Sequence, residues 1–326
     1  MSDNAHKLAR IVAEVHEQPW ALLPSKLSAI LALLEVRASG QRLDADEVRA
    51  AIGARESQPV RATSRGVAVL PVFGVLGQRM SMPLQISGGT STEMLTKDFR
   101  ALLANDDVDA IVLAIDSPGG ACHGTDECAT AIRAARGSKP IVACVSSLAA
   151  SAAYWVAAQC DRVVCTPGGD VGSIGVISAH EDVSGAQQKL GVTTTLVSAG
   201  KYKAEGHPFA PLSDEARAAL QRRVDECYAR FVAAVAAGRG VSDATVREGY
   251  GQGRLLGARD ALAAGMIDEI ATLDDVLGEL AMAGPQRTRH LSTRAIRQEP
   301  LVAATRQRAL DDWRRSVSLS LRLLDL

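Results

Sequence analysis

Aromatic residues are scarce: Phe, Tyr and Trp together make up 3% of the 326 residues. A platform that stacks successive bases of single-stranded nucleic acid needs more rings than that. Excess charge is also missing, because 36 basic and 37 acidic side chains leave a net charge of −1. A whole-protein electrostatic grip on nucleic acid or anionic lipid is thereby excluded. No run approaches the ~20 consecutive apolar residues that a membrane helix requires. The opening MSDNAHKLARIVAEVHEQPW is broken throughout by charges and lacks the pattern of a secretory leader, so the expected location is the cytoplasm. The six cysteines (Cys122, Cys128, Cys144, Cys160, Cys165 and Cys227) show no C-x-x-C spacing and read as free, buried thiols. The six histidines show neither H-E-x-x-H nor another paired-ligand spacing, so no metal and no cofactor is expected.

What remains is an ordinary globular composition, 47% hydrophobic and 22% charged. Three segments differ in pattern. Residues 1–53 form an N-terminal segment of helical character: Leu27, Ile30, Leu31 and Leu34 recur at helical spacing, and Asp44 can cap a further helix. Residues 54–65 are polar and read as a linker. Residues 66–284 alternate short β-rich runs with helical ones. The strand candidates are Val67–Phe73, Ala110–Ile115, Ile141–Val145, Arg162–Cys165, Ile174–Ile177 and Thr193–Val197. The helix candidates lie at about 92–104, 125–136, 151–159, 182–190, 214–237 and 257–264. Near-continuous apolar strands with helical crossovers predict an α/β domain with a mostly parallel, covered sheet. Residues 285–326 carry nine Arg against four acids and read as a basic, partly helical tail.

Three stretches hold residues suited to chemistry. In AIVLAIDSPGGACHG (110–124) a buried strand runs into Ser-Pro-Gly-Gly, where Pro118 fixes φ and two glycines allow positive φ. Such a turn either presents backbone N–H groups to an anion or simply reverses the chain. In VSSLAASAAYWVAAQC (145–160) small residues crowd Ser151, which opens a helix. Serine there is usually an N-cap, but it can also be a nucleophile whose developing charge the first amides stabilise. In VSAGKYKAEGHPFAPL (197–212) Lys201 and Lys203 are the candidate bases. A lysine in a partly apolar pocket can serve as the general base that a weakly nucleophilic hydroxyl needs. His180 with Asp182, and His123 beside the glycine turn, are the alternative bases, and spacing alone leaves His180 open.

Taken together, DSPGG (116–120), LAASAAYW (148–155), GSIGVI (172–177), SAGKYKAEGHPFAPL (198–212) and GRLLGARDALAAGMIDEI (253–270) resemble peptidase family S49, the signal peptide peptidase A group of Ser–Lys proteases. The likeness covers about residues 66–280 and is nearer to the phage capsid-assembly and head-maturation branch. QPWALLPSKLSAILALL (18–34) looks like the preface common in that branch. The resemblance implies a ClpP/crotonase-like spiral of β-β-α units. It implies Ser151 as nucleophile, Lys203 as general base in preference to Lys201, and Ser173 as a partner of the lysine amine. It further implies an oxyanion hole made by the backbone N–H of Gly119 or Gly120 and that of Ala152.

Two features depart from the wider family: alanines rather than glycines follow the nucleophile, and no membrane anchor is evident. By this resemblance the chain is a homo-oligomeric serine endopeptidase acting on scaffold, portal or capsid proteins, in the host cytoplasm or the prohead. The tail at 285–326 is then a candidate docking element. A soluble cytoplasmic peptidase that clears peptides, a non-catalytic scaffold and an acyl-CoA enzyme of the crotonase type are the competing readings.

Overall fold

The computed structural model describes residues 18–38, 61–62, 66–79 and 88–283. The helix expected after Asp44, most of the 54–65 linker and the 285–326 tail lie outside the described residues.

The chain begins with a short strand, β1 (Trp20–Leu22), and a helix, α1 (Pro24–Ala38), with Pro24 at its first position, where a missing N–H costs nothing. The sequence pattern had suggested helix throughout 1–53, but Trp20–Leu22 is extended because it finds strand partners. After β2 (Arg61–Ala62) the chain repeats one course twice. The first pass is β3 (Val67–Phe73), then β4 (Leu76–Gly77), β5 (Thr90–Ser91) and helix α2 (Thr92–Ala104). The second is β6 (Ala110–Ser117), then β7 (Gly119–Ala121) and helix α3 (Thr125–Ala134). In each pass a long strand joins the large sheet, a short one joins a small sheet, and a helix returns over the core. β8 (Ile141–Ala150) and helix α4 (Ala152–Ala157) begin a third pass.

The remaining elements are β9 (Arg162–Cys165), β10 (Asp170–Gly172), α5 (Ser184–Lys189), α6 (Asp214–Arg239), α7 (Asp243–Gly249), β11 (Leu255–Gly257), α8 (Ala258–Ala263), β12 (Glu269–Ile270) and α9 (Leu273–Ala283). The large sheet runs β11-β10-β8-β6-β3-β2, with β9 and β12 branching from β8. Its central ladders, β3 with β6 and β6 with β8, are parallel. Pro71 is accommodated in β3 because, among the described residues, β2 pairs only at Ala68 and Val69 on the strand's outer edge.

Alternation within the strands explains both layers. Ile111, Leu113 and Ile115 of β6 join Ala68, Leu70 and Val72 of β3 in the main core, beneath Phe99, Ile132 and Phe231. The opposite faces, with Val67, Ala110, Val112, Val142 and Cys144, pack on Val276 of α9. Each fully buried Val, Leu or Ile contributes about 1.5–3 kcal/mol to this sandwich. All six cysteines are buried and free. Ser213 caps α6 by accepting from Ala216 N–H at 3.2 Å, as its position before Asp214 and Glu215 suggests.

Two strand expectations fail. Ile174–Ile177 contributes only a single bridge, Ile177 to Trp20, and the strand lies earlier, at β10. Thr193–Val197 is irregular and exposed. Its β-branched residues have no adjacent strand to pair with, and β-propensity without a neighbour does not make a sheet.

Candidate active site

β8 runs five residues past its sequence-predicted end because it has two successive partners. Val142–Val145 pair with β9, and Leu148–Ala150 pair with β10. The second half carries the chain to Ser151. There the backbone takes φ 53°, ψ −117° before turning into α4. Positive φ is costly for a residue with a Cβ, and such strain persists only where the surroundings over-determine it. Here they do: Ser151 N–H donates to Gly172 O at 2.7 Å, and Ser151 O accepts from Trp155 N–H at 2.9 Å.

Ser151 does not act as a helix cap, since no side-chain cap bond forms. Its Oγ instead donates to Gly175 O at 3.2 Å. Of the described residues only Ser151, Ser173 and Gln252 combine a side chain with positive φ. Ser173 (φ 52°) is buried, one residue beyond the carbonyl that holds Ser151, and its N–H donates to Arg254 O at 2.8 Å. The two serines are thus fixed at the end of β10, Ser151 from the edge facing β8 and Ser173 from the edge facing β11.

The glycine turn of the sequence is in fact strand β7, and its two glycines answer different needs. Gly119 (φ 97°) approaches the Ser151 junction so closely that a Cβ there would collide with Ala21 O, lie 2.8 Å from Ala150 O and 3.1 Å from Ala152 N. A Cβ on Gly120 would run into the Leu76 backbone of β4, 2.5 Å from its nitrogen. Gly119 therefore lies against the Ala152 amide, whereas Gly120 lets β4 approach. Ser117, which the sequence did not single out, fixes this turn: its Oγ donates to Gly74 O at 2.6 Å and accepts from Gly119 N–H at 3.2 Å. Ala149, Ala150, Ala152 and Ala153 have no exposed surface, and anything larger would displace β7.

α4 is buried along its whole length. Trp155 stacks on Phe231 of α6, with ring centroids 4.6 Å apart and planes 6° from parallel. Tyr154 OH donates to Met266 O at 2.8 Å. Burial pushes the Tyr154 phenol far above its ordinary range, so it stays a neutral donor. The far end of α6 is clamped by Arg239, whose Nη2 donates to Asp268 Oδ1 at 2.8 Å and whose Nη1 donates to Oδ2 at 2.9 Å. Burial pushes the Asp268 carboxyl up, but the bonds and charge of Arg239 outweigh it, and the pKa ends below its ordinary value.

The two lysines are differently placed from the serines. Lys203 is exposed, its N–H donating to Gly200 O at 3.1 Å, and no hydrogen bond joins it to Ser151 among the described residues. Lys201 donates to Tyr202 OH at 2.8 Å and to Glu215 Oε1 at 3.1 Å. These bonds raise its pKa and direct its ammonium to Glu215. Asp182 accepts from Ser184 N–H at 2.9 Å, and its bonds to Ser184 lower its pKa. It thus closes the start of α5 rather than orienting His180 through a hydrogen bond. His180 Nε2 is buried without a hydrogen-bond partner. His123 meets Gln18 Oε1 at 3.3 Å on the surface. Among the described residues no group of three or more His, Cys, Asp or Glu is placed to hold a metal ion, and no helix is long and apolar enough to cross a membrane.

Comparison with known proteins shows what this chain is similar to. Over 299 residues the chain is 30% identical to the head-tail preconnector protein GP5 of Enterobacteria phage P21, an alignment that covers 85% of this chain and 58% of that protein. It is 32% identical over 260 residues to the capsid assembly protease C of Escherichia phage lambda, covering 78% and 59%. The chain thus spans about three fifths of the length of these relatives. The solved ClpP protease catalytic domain from Plasmodium falciparum aligns over 62% of this chain and 84% of that one, at 12% identity and a TM-score of 0.39. Residues 133–284, from the end of α3 through α9, match the family model of peptidase family S49.

Proposed function

We propose that this chain is a serine endopeptidase with a Ser151–Lys203 dyad, acting on scaffold, portal or capsid proteins during phage or prophage head assembly. The observation that carries the reading is Ser151 itself. It is held at φ 53° at a strand-to-helix junction, with a hydroxyl not spent on capping, beside Gly119 and the Ala152 amide. Strain of this kind has no folding purpose that a glycine would not serve better.

In the proposed reaction neutral Lys203 accepts the Ser151 proton as Oγ bonds to the scissile carbonyl carbon. The oxyanion is received by the backbone N–H of Ala152 and that of Gly119 or Gly120, Gly119 N–H being held by Ser117 Oγ in this structure. Such preorganised donors are worth about 3–4 kcal/mol each. Collapse breaks the C–N bond, the Lys203 proton passes to the departing amine, and water, deprotonated by the same lysine, releases the acyl group. Ser173 steadies the lysine amine.

Lys203 must reach Ser151 from the exposed segment. Leu190, Val192, Leu196 and Val197 on that segment stand in solvent, at 78%, 49%, 45% and 95% exposure. Apolar side chains so displayed suit a surface covered in a homo-oligomer, whose closure would order the segment over the site. The twice-repeated strand, short strand and helix support a ClpP/crotonase-like spiral as the scaffold, and the host cytoplasm or prohead is its proposed place. The tail at 285–326 remains the proposed docking element.

The test is co-expression with the neighbouring portal and capsid proteins, followed by intact mass. Wild type is expected to cut, while Ser151→Ala and Lys203→Ala are expected to lose on the order of 10⁴-fold or more in turnover. Lys201→Ala is expected to retain activity. Activity should also fall as the pH is lowered and the base is protonated. Cleavage that survives Ser151→Ala refutes the dyad. Intact partners in every arm favour the scaffold reading.

A further inference from the structure

β1 lies where a substrate would be expected. On one side it pairs antiparallel with β7, Trp20 opposite Ala121, Ala21 opposite Gly120 and Leu22 opposite Gly119. On the other, Trp20 and Ile177 exchange both backbone bonds, at 2.8 and 2.9 Å. Leu23 N–H donates to Pro118 O at 3.0 Å, and Cys122 N–H donates to Pro19 O at 3.3 Å. Antiparallel ladders alternate, so these flanking bonds put Ala21 and Gly120 on the hydrogen-bonded phase between them. The segment is therefore a central strand, held on both edges, between the glycine strand and the stretch that follows Ser173.

Its register brings it to the chemistry. Of the atoms around the point where a Gly119 Cβ would stand, Ala21 O is the nearest, and Ala152 N lies 3.1 Å from that same point. The carbonyl of a small residue thus stands beside the groups assigned to the oxyanion. Ser151 is 1% exposed and Ala21 is fully buried, so no second chain can enter. Trp20 and Leu22 are nevertheless held mainly by a small cluster of their own, with Leu27, Val75 and Ala121, separate from the main core. The plug is well seated but is not the keystone of the fold.

We propose that β1 is a built-in occupant of the substrate groove. It mimics an extended polypeptide with a small residue at the reacting carbonyl, and a substrate strand adds to β7 only after β1 has left. The inference rests on the peptidase reading for the meaning of the groove. Recognition by strand addition draws its affinity from main-chain bonds, so occupant and substrate compete for the same β7 and Ile177 groups.

The test uses the full chain carrying Ser151→Ala, so that nothing is cut, and a fluorescein-labelled QPWALL peptide, the sequence of residues 18–23. Adding Trp20→Ala removes the ring that seats the strand. Peptide binding is expected to tighten at least about tenfold, because apparent affinity scales with the fraction of molecules whose groove is open. Hydrogen exchange at the Ala21–Leu23 amides reports whether the strand has loosened. Ala21→Pro, which removes a ladder donor, serves as a second variant should the first misfold. Faster exchange without tighter peptide binding overturns the inference. If binding tightens but no peptide is cut once Ser151 is restored, the peptidase reading falls and the occupied groove stands. If Ser151-dependent cleavage is as fast in wild type as with the strand loosened, the reverse holds.

Discussion

From Ala149 to Cys160 every residue is buried, whereas from Gln188 to Lys203 every residue is exposed. The first stretch holds the proposed nucleophile and the second holds the proposed base. α6 spans the difference. Its C-terminal half, with Cys227, Phe231, Val232, Val235 and Ala236, is built into the core, while Ala216 is the only fully buried residue of its first three turns. A helix of this length, about 39 Å, anchored at one end, carries the exposed segment on a stand-off arm. One half of the candidate dyad is therefore set by folding and the other by whatever orders that segment.

The largest effect expected from this contrast is in the buried half. Trp155→Ala removes the stack on Phe231 and should lower unfolding free energy by about 3–5 kcal/mol in urea titration. A loss below 1 kcal/mol would mean that α4 is not fixed through α6. Next come two glycines that share positive φ but differ in surroundings. Gly119→Ala meets Ala21, Ala150 and Ala152 backbone, whereas Gly191→Ala, with nothing within 4 Å, meets only the conformational cost. That cost is about 1–2 kcal/mol, so Gly119→Ala should exceed Gly191→Ala by at least that much again. Equal losses would remove the argument that Gly119 is pressed against the nucleophile junction.

Smaller still is the anchor of α6. Asp268→Asn weakens the clamp to Arg239 and should cost about 1–2 kcal/mol near neutral pH. The folded-state pKa of Asp268 is depressed, so its contribution is present above the ordinary carboxylate value. It is lost as the pH falls through the lowered folded value. The gap between wild type and Asp268→Asn, measured by denaturation at a series of pH values, should close on acidification rather than widen. The smallest effect belongs to the exposed stretch: Val197→Ser should move stability by less than about 0.5 kcal/mol. A larger loss in the isolated chain would mean that the segment packs in solution.

Periodicity located what periodicity governs. β3 and β9 begin and end where their apolar runs do, and α2 spans its predicted residues, because each is decided by which side chains face the core. The errors have one physical source, partners far away in sequence. Trp20–Leu22 is a strand because β7 lies beside it, about a hundred residues on. Gly119–Ala121 is a strand although glycines suggest a turn, because a missing Cβ is what lets Leu76 approach. Ser117 and Gly175 escaped notice because their roles are single hydrogen bonds with no pattern in the sequence. The close packing around Ser151 was legible from its crowd of alanines, since close approach demands small neighbours, whereas its proposed role came from the family resemblance. The spatial relation of Lys203 to Ser151 was not legible, because nothing in the spacing says how an exposed segment will dock.

The split pairing of β8 has a mechanical meaning. One strand answers to two neighbours in turn, β9 along its first half and β10 along its second. The residues at the tip are therefore indexed to β10 on that edge, while Ala149 still pairs with Ser117 of β6 on the other. Length can be gained or lost in the 185–212 stretch, or fraying can begin where β12 joins β9, without sliding the Ser151 tip by a single register step.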